Sequence, residues 1–362
     1  AMLALRRRCI SAISTAAPHS RHLQVALKYK NGFYAEQLAL LERYKAEVQA
    51  AASEASASSR CGGADAGSPP PGARSQASEE TMHEFERSKR EYQSLAKDPE
   101  KARAFKAAVR QYQEQFNHVV QVDIHNGREF AEAGLETSGF VMLKHSSGVQ
   151  DWNDAEEVER LYCAEMRELV RSVTGASHCF VGRGRHVVRK TDGSTAFPPF
   201  LEVHSDFVET YKAALVRSLA SGKEETPTFG VLEVLQEEGV TAEQLQMSRV
   251  LVIQAWRSVS PSPLRGCPLA LCDGRSVGSG ELIREQVRGL ERYRALHAPA
   301  HRWYWFPDMT ADEVLLFKGY DSAVERYAFH SAFSHPDARP DDPPRFSCEL
   351  RLICLLPQQD AP

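Results

Sequence analysis

Residues 201–207 read Leu-Glu-Val-His-Ser-Asp-Phe. Their alternation predicts an extended segment, and in a strand residues i and i+2 project from the same face. His204 and Asp206 then stand side by side. A neutral imidazole and a carboxylate are two-thirds of the facial triad that holds iron(II) and leaves three coordination positions open. The pair is weak evidence by itself: with 13 His and 15 Asp in 362 residues, chance supplies roughly one such pair for every two chains of this composition. A second pair, His335 and Asp337, encloses Pro336 and is soon followed by Pro340, which predicts a loop rather than a strand.

Two features nearer the C-terminus strengthen the first pair. His330 lies in the apolar and aromatic run Arg-Tyr-Ala-Phe-His-Ser-Ala-Phe. Alone it reads equally as a hydrogen-bonded core histidine. Further on comes Arg-Phe-Ser-Cys-Glu-Leu-Arg-Leu-Ile-Cys-Leu-Leu, residues 345–356. As a strand it puts Arg345, Ser347, Glu349 and Arg351 on one face and Phe346, Cys348, Leu350 and Leu352 on the other. The polar face is either solvated or lines a polar cavity. An arginine fork suits the carboxylate tail of a dicarboxylic acid, because its paired N–H groups grip a carboxylate in bidentate fashion. A serine hydroxyl beside it adds one hydrogen bond.

The elements that would position these groups occupy the second part of the chain. From residue 118 there are short apolar runs rich in β-branched and aromatic residues: 118–124, 138–144, 178–190, 248–256, 312–318 and 346–356. Each has strand length and is bounded by turn-forming residues. Two helices are expected among them, at 152–174, ending before Gly175, and at 278–297. Strands outnumber helices and do not alternate with them. The expected architecture is therefore mainly β with flanking helices (α+β), an antiparallel sandwich, over a domain spanning 118–362. Upstream, 34–117 reads as a helical arm interrupted by a Ser/Ala/Gly/Pro insert at 52–78, with Pro99 breaking its second half. The arm offers a surface for self-association. Oligomeric state is not encoded in any pattern we find.

Residues 1–33 form a basic leader. No acidic residue precedes Glu36, and Arg6, Arg7, Arg8 and Arg21 are interspersed with hydroxyl residues. Such leaders resemble mitochondrial or plastid transit peptides, the alternative being an ordinary basic tail of a cytoplasmic protein. The net charge of −4 supplies no basic field for nucleic acid. No apolar stretch approaches the ~18 residues that cross a bilayer. A small-molecule substrate is the partner expected. The eight cysteines contain no Cys-x-x-Cys pair and read as reduced thiols, several within strands.

His-x-Asp, a distal His and Arg-x-Ser on the next strand, in this order, resemble the iron(II)/2-oxoglutarate oxygenases with a double-stranded β-helix (jelly-roll, cupin-like) core. The match is carried further by the segments around GFVMLKHSSGVQDWNDAEEVERLYCAEM, AWRSVSPSPLRGCPLALCDGRSV and HRWYWFPDMTADEVLLFKGYDS. These resemble the family that includes the cephamycin methoxylation subunit, gibberellin desaturase-like proteins and fungal meroterpenoid oxygenases of secondary metabolism. The likeness covers about residues 118–357. It departs from the family at Gln254, where Asn is frequent, and at Ser331, where Thr is usual. It implies a dioxygenase, hydroxylase or desaturase in type, that consumes dioxygen and 2-oxoglutarate, releases succinate and carbon dioxide, and oxidises a small metabolite. It implies Fe(II) ligation by His204, Asp206 and His330. It implies 2-oxoglutarate binding by Arg345 with Ser347, with Arg351 as second choice. The rival readings are a non-catalytic accessory or binding protein on the same fold, and a cupin-like metal enzyme that does not use 2-oxoglutarate.

Overall fold

The computed structural model describes residues 22–30, 117–184, 186–195, 198–224, 230–287 and 290–357. The first 21 residues of the leader, and the helical arm with its insert as far as residue 116, lie outside the described residues. The described chain is built on two sheets. One has the strand order β1 (His22–Lys30), β2 (Asn117–Asn126), β11 (Trp303–Trp305), β8 (Leu269–Cys272), β13 (His330–Ala332), β6 (His204–Ser205), β10 (Leu290–Ala295) and β9 (Leu282–Val287). The other runs β3 (Phe140–Lys144), β12 (Glu313–Asp321), β7 (Ser248–Ser258), β14 (Phe346–Pro357) and β4 (His178–Val181), with β5 (Val187–Lys190) also paired to β14.

The second sheet is a separator between an apolar outer layer and a mixed interior. Along β7 and β14, alternation sends Leu251, Ile253 and Ala255 with Cys348, Leu350 and Leu352 outward, where they bury against Cys163, Met166 and Val170. Those three belong to the helix expected at 152–174. It forms as α1 (Ala155–Glu157), a π turn (Val158–Tyr162) and α2 (Cys163–Thr174). Asp154 caps its start, and Gly175 ends it at φ 74°, a left-handed conformation that glycine adopts without penalty. Trp256, Leu315 and Phe317 face the other way and pack with Leu269 and Leu271 of the first sheet. Of the eight thiols, the six described are free, and Cys179, Cys272, Cys348 and Cys354 sit buried in strands.

Three expectations are corrected. Residues 278–297 are not a helix: β9 and β10 form an antiparallel hairpin, Leu290 opposite Val287 through Ala295 opposite Leu282. Glu, Arg and Leu there favour a helix locally, but β10 gains a ladder to β6 (Tyr293 with Ser205, Arg294 with His204), and tertiary pairing overrides weak propensity. Three short helices, α3 (Tyr211–Ser221), α4 (Val231–Glu237) and α5 (Ala242–Met247), fill the stretch before β7. Their signals were local: buried Tyr211, Ala214, Leu215 and Ser218 at helical spacing, and a Thr241–Gln244 capping box. The third correction concerns the leader, whose residues 22–30 are the first strand of the larger sheet.

That strand is fastened firmly. Leu23, Val25, Leu27 and Tyr29 alternate into the core. Lys28 bridges to Glu202, and the Lys28 carbonyl accepts the Val203 amide. The Tyr29 hydroxyl accepts from the Trp303 indole at 2.7 Å and lies 3.1 Å from His301 Nδ1. His301 Nε2 lies 2.8 Å from a Glu281 carboxylate oxygen, which can only accept, so Nε2 carries the proton and Nδ1 takes the one from Tyr29. Among the described residues no helix is long and apolar enough to cross a membrane.

Two stability predictions follow from buried polar groups. Tyr29→Phe leaves the buried Trp303 N–H without its acceptor and is expected to lower the unfolding free energy by about 1–3 kcal/mol in chemical denaturation. Arg257, fully buried, donates to His145 Nδ1 at 2.8 Å as well as to the His145 and Ala311 carbonyls. His145 is therefore unprotonated at Nδ1, and burial, then the Arg257 charge, holds its pKa below 6.5. The unfolded chain binds the proton more readily, so this stability is present above pH 6.5 and falls away below it. Denaturation at successive pH values is expected to show that loss in the native chain, and a smaller one in His145→Gln.

Candidate metal centre

His204 lies on β6, His330 on β13, and the two are directly opposite across the antiparallel pair. The register continues on both sides, with Arg294 of β10 opposite His204 and Leu271 of β8 opposite His330. Directly opposed residues share a face, so four strands present one row. Asp206 follows just past β6. One ligand atom from each of His204, Asp206 and His330 lies within 4.8 Å of the others, and all three residues are buried. The imidazole centroids are 4.1 Å apart, and His204 Nε2 is 3.5 Å from Asp206 Oδ1.

The surroundings decide which atoms remain available. His204 Nδ1 is 2.8 Å from the Glu202 carbonyl, and His330 Nδ1 is 3.3 Å from the Ala328 carbonyl. A carbonyl only accepts, so both Nδ1 atoms carry the proton and both Nε2 atoms keep a lone pair. Burial is the main cause holding both histidines below the ordinary pKa, which keeps them neutral. Asp206 Oδ2 is spoken for: it accepts from Gln254 Nε2 at 2.8 Å and from Arg351 Nε and Nη2 at 3.0 and 2.6 Å. Burial alone would raise this carboxyl, but the Arg351 guanidinium outweighs it and holds the group well below the usual carboxylate range. Oδ1 is left beside the two Nε2 atoms. Two neutral imidazole nitrogens and one carboxylate oxygen, converging from one side, are a donor set that fits iron(II).

The Gln254 contact depends on a glycine. β12 carries a bulge between Lys318 and Tyr320. A Cβ on Gly319 would come within 2.6 Å of Gln254 Oε1 and 3.0 Å of the Phe207 ring. Two further phenylalanines wall the centre: Phe200 meets the His204 ring edge-on at 4.6 Å, and Phe317 lies 4.8 Å from that of His330.

Arg345, Ser347, Glu349 and Arg351 do share one face of β14, and it is the inner one. Arg345, Ser347 and Glu349 are all buried. The two arginines are in different states. Arg351 is paired with Asp206 and, at 2.8 Å, with Glu349. Arg345 is 3% exposed, yet its partners are neutral: Ser347 Oγ at 3.1 Å, the Cys267 carbonyl at 3.0 Å, and the Trp256 ring 5.1 Å beneath it. No carboxylate lies within ion-pair distance of it among the described residues, and Glu349 acts on it only from farther along the face. Burial lowers its pKa.

The second His-x-Asp pair falls outside the centre, as do Lys318, Asp321 and Tyr304 of the neighbouring segments. The His335–Asp337 pair is a turn, with the Asp337 amide donating to His335 Nδ1. Lys318 and Asp321 pair with each other at 2.7 Å. Tyr304 stacks on Phe130. Gln254, named from the sequence only as a departure from the family, also left a signal of its own, a polar residue within an otherwise apolar strand; Phe200 left none.

Comparisons with known proteins agree with this geometry. The chain is 28% identical over 265 residues to the hydroxylase/desaturase efuI of Hormonema carpetanum, covering 67% of this chain and 84% of that protein. It is 27% identical over 249 residues to the Fe(II)/2-oxoglutarate-dependent dioxygenase nvfI of Aspergillus novofumigatus, covering 64% and 82%. Among solved structures it is similar to an iron and alpha-ketoglutarate-dependent endoperoxidase, NvfI, with a TM-score of 0.56 and 25% identity over 67% of this chain and 86% of that one. The class that fold and relatives define is the iron(II)- and 2-oxoglutarate-dependent oxygenase of cupin-like fold. Residues 89–355 match the Oxidoreductase/YMDC permease-like domain, and the chain belongs to that family.

The Oδ2 contacts are testable without turnover. Gln254→Leu removes one of the donors that orient Asp206. Equilibrium titration with iron(II) under anaerobic conditions is expected to show about a 10–100-fold weaker affinity.

Proposed function

We propose that the protein oxidises a small metabolite by hydroxylation or desaturation, consuming 2-oxoglutarate and dioxygen and releasing succinate and carbon dioxide, with iron held by His204, Asp206 and His330. The observation that carries the reading is the convergence of two deprotonated Nε2 atoms and Asp206 Oδ1, with every other polar atom of the three residues directed elsewhere. Iron bound there supplies the activation of dioxygen that couples decarboxylation of 2-oxoglutarate to oxidation of the substrate.

The residues divide the remaining work. Iron held by these three side chains would keep coordination positions for co-substrate and dioxygen. Asp206 contributes one negative charge, and Arg351 and Gln254 fix the direction of its free oxygen. Arg345 is our choice for the distal carboxylate of 2-oxoglutarate. A buried guanidinium is costly to leave without a counter-charge, and an incoming carboxylate answers it in fork geometry while Ser347 steadies the fork. Arg351 is the poorer choice because Asp206 and Glu349 already neutralise it. Phe200, Phe317 and Trp256 exclude water around these charges and strengthen each contact.

Iron-loaded protein, supplied with 2-oxoglutarate and exposed to air, is expected to release succinate slowly even without its true substrate, and His204→Ala to release none. Absence of iron binding in the wild type would overturn the reading and favour the accessory-protein alternative. Arg345→Ala is expected to weaken 2-oxoglutarate binding by 100-fold or more, on the scale of about 3 kcal/mol for a lost buried charge pair, while iron affinity stays within twofold. An unchanged 2-oxoglutarate affinity would transfer the role to Arg351.

A further inference from the structure

A second arginine stands beside Arg345 on the inner face. On β5, Arg189 is directly opposite Ser347 of β14, and Val187 is opposite Glu349. Opposed residues in an antiparallel pair share a face, so Arg189 joins the face carrying Arg345, Ser347 and Glu349. Its neighbour Lys190 confirms the parity: it is opposite Phe346, and its ammonium sits 4.4 Å above that ring on the other side of the sheet. Arg189 is half-buried, and its only described hydrogen bond is from Nη1 to the Pro198 carbonyl at 3.0 Å. No carboxylate lies within ion-pair distance of it among the described residues. It is close enough to Arg345 for the two charges to repel, adding to the burial that depresses Arg345.

The other charges on the inner faces near His204 and Asp206 are matched. Arg351 answers Asp206 and Glu349. Arg292 is 2.6 Å from Glu285, and Arg294 pairs with Glu202. These last two guanidiniums also cap the Phe200 ring, at 5.0 and 5.1 Å. Two like charges with no carboxylate in ion-pair contact with either are thus the exception, Glu349 reaching Arg345 only at longer range, and the distal carboxylate of 2-oxoglutarate answers one. The other is left for the second molecule that the proposed reaction brings to this face, the substrate. We infer that Arg189 is the substrate-specificity residue, and that the substrate is a small carboxylic acid whose carboxylate pairs with Arg189 while its apolar part lies along Phe200.

This rests on the oxygenase reading above, and it deepens that reading by naming a substrate class. The bond to Pro198 uses one of five guanidinium N–H groups, so loop anchoring and anion binding are compatible in one side chain. A glutamine keeps a donor for that carbonyl and removes the charge.

The test uses the full chain, loaded anaerobically with iron(II) and saturated with 2-oxoglutarate so that Arg345 is occupied. Phenylacetate and phenylacetamide serve as probes, equal in shape and different in charge, and calorimetric titration reads their binding. The wild type is expected to prefer the acid at least tenfold. Arg189→Gln is expected to abolish that preference, with 2-oxoglutarate affinity within twofold of wild type, and Arg189→Lys to recover part of it. Equal binding of acid and amide by the wild type would overturn the inference. So would a tenfold or greater loss of 2-oxoglutarate affinity in Arg189→Gln, which would assign the residue to the co-substrate. Failure of the wild type to bind 2-oxoglutarate at all would remove the oxygenase reading, and this inference with it, and is seen separately in the first titration.

Discussion

Asp206 has two oxygens and the structure uses them for different purposes. Oδ2 is saturated by Gln254 and Arg351, which leaves Oδ1 with a single direction in which to act. A carboxylate free to rotate would chelate a metal with both oxygens or turn away from it. Here rotation costs three hydrogen bonds in a buried setting, where each is hard to replace. Much of the fold serves this constraint. β14 brings Arg351, β7 brings Gln254, and the β12 bulge at Gly319 makes room for the glutamine amide. The histidines obey the same rule by backbone means, each with its Nδ1 proton given to a carbonyl two residues earlier in the chain.

The site is therefore made of opposed sheets rather than of a loop cluster. The first sheet supplies the row carrying His204 and His330, and the second supplies the charges that orient Asp206 beside them. Between them lie aromatic rings that exclude water. The outer face of the second sheet is sealed by α2, so substitutions there act on stability, whereas the inner face carries both core residues such as Trp256 and Phe317 and the polar groups of the proposed site. The alternation of β14 separates the two faces residue by residue.

Much of this was legible in the sequence because strand periodicity is local. Alternation along 345–356 placed four polar residues on one face, and the structure has them there. Alternation at 201–207 paired His204 with Asp206. The choice between Arg345 and Arg351 was not legible, because it depends on which arginine has a carboxylate neighbour, a fact of tertiary contact. The hairpin at 282–295 was misread for the same reason: its partner strand β6 is distant in sequence, and the local residues favour a helix. The strand at 22–30 was hidden by composition. Basic and acid-free residues mark a leader, but Leu23, Val25, Leu27 and Tyr29 also alternate, and that weaker signal was the structural one.

The first strand of the sheet carries a further consequence, for the order of assembly. β1 is synthesised before any of its partners. Its neighbour β2 follows only after residues 31–116, and the Glu202–Val203 segment that closes on Lys28 comes later still. Contacts this distant along the chain pay a large loop-closure entropy and form late in folding. The carbonyl that accepts from His204 Nδ1 belongs to Glu202, the residue on which Lys28 of β1 closes. His330 and Arg351 emerge last of all. A nascent chain thus exposes the members of the proposed iron site one at a time, and the cluster of His204, Asp206 and His330 is complete only once strands far apart in the sequence have paired.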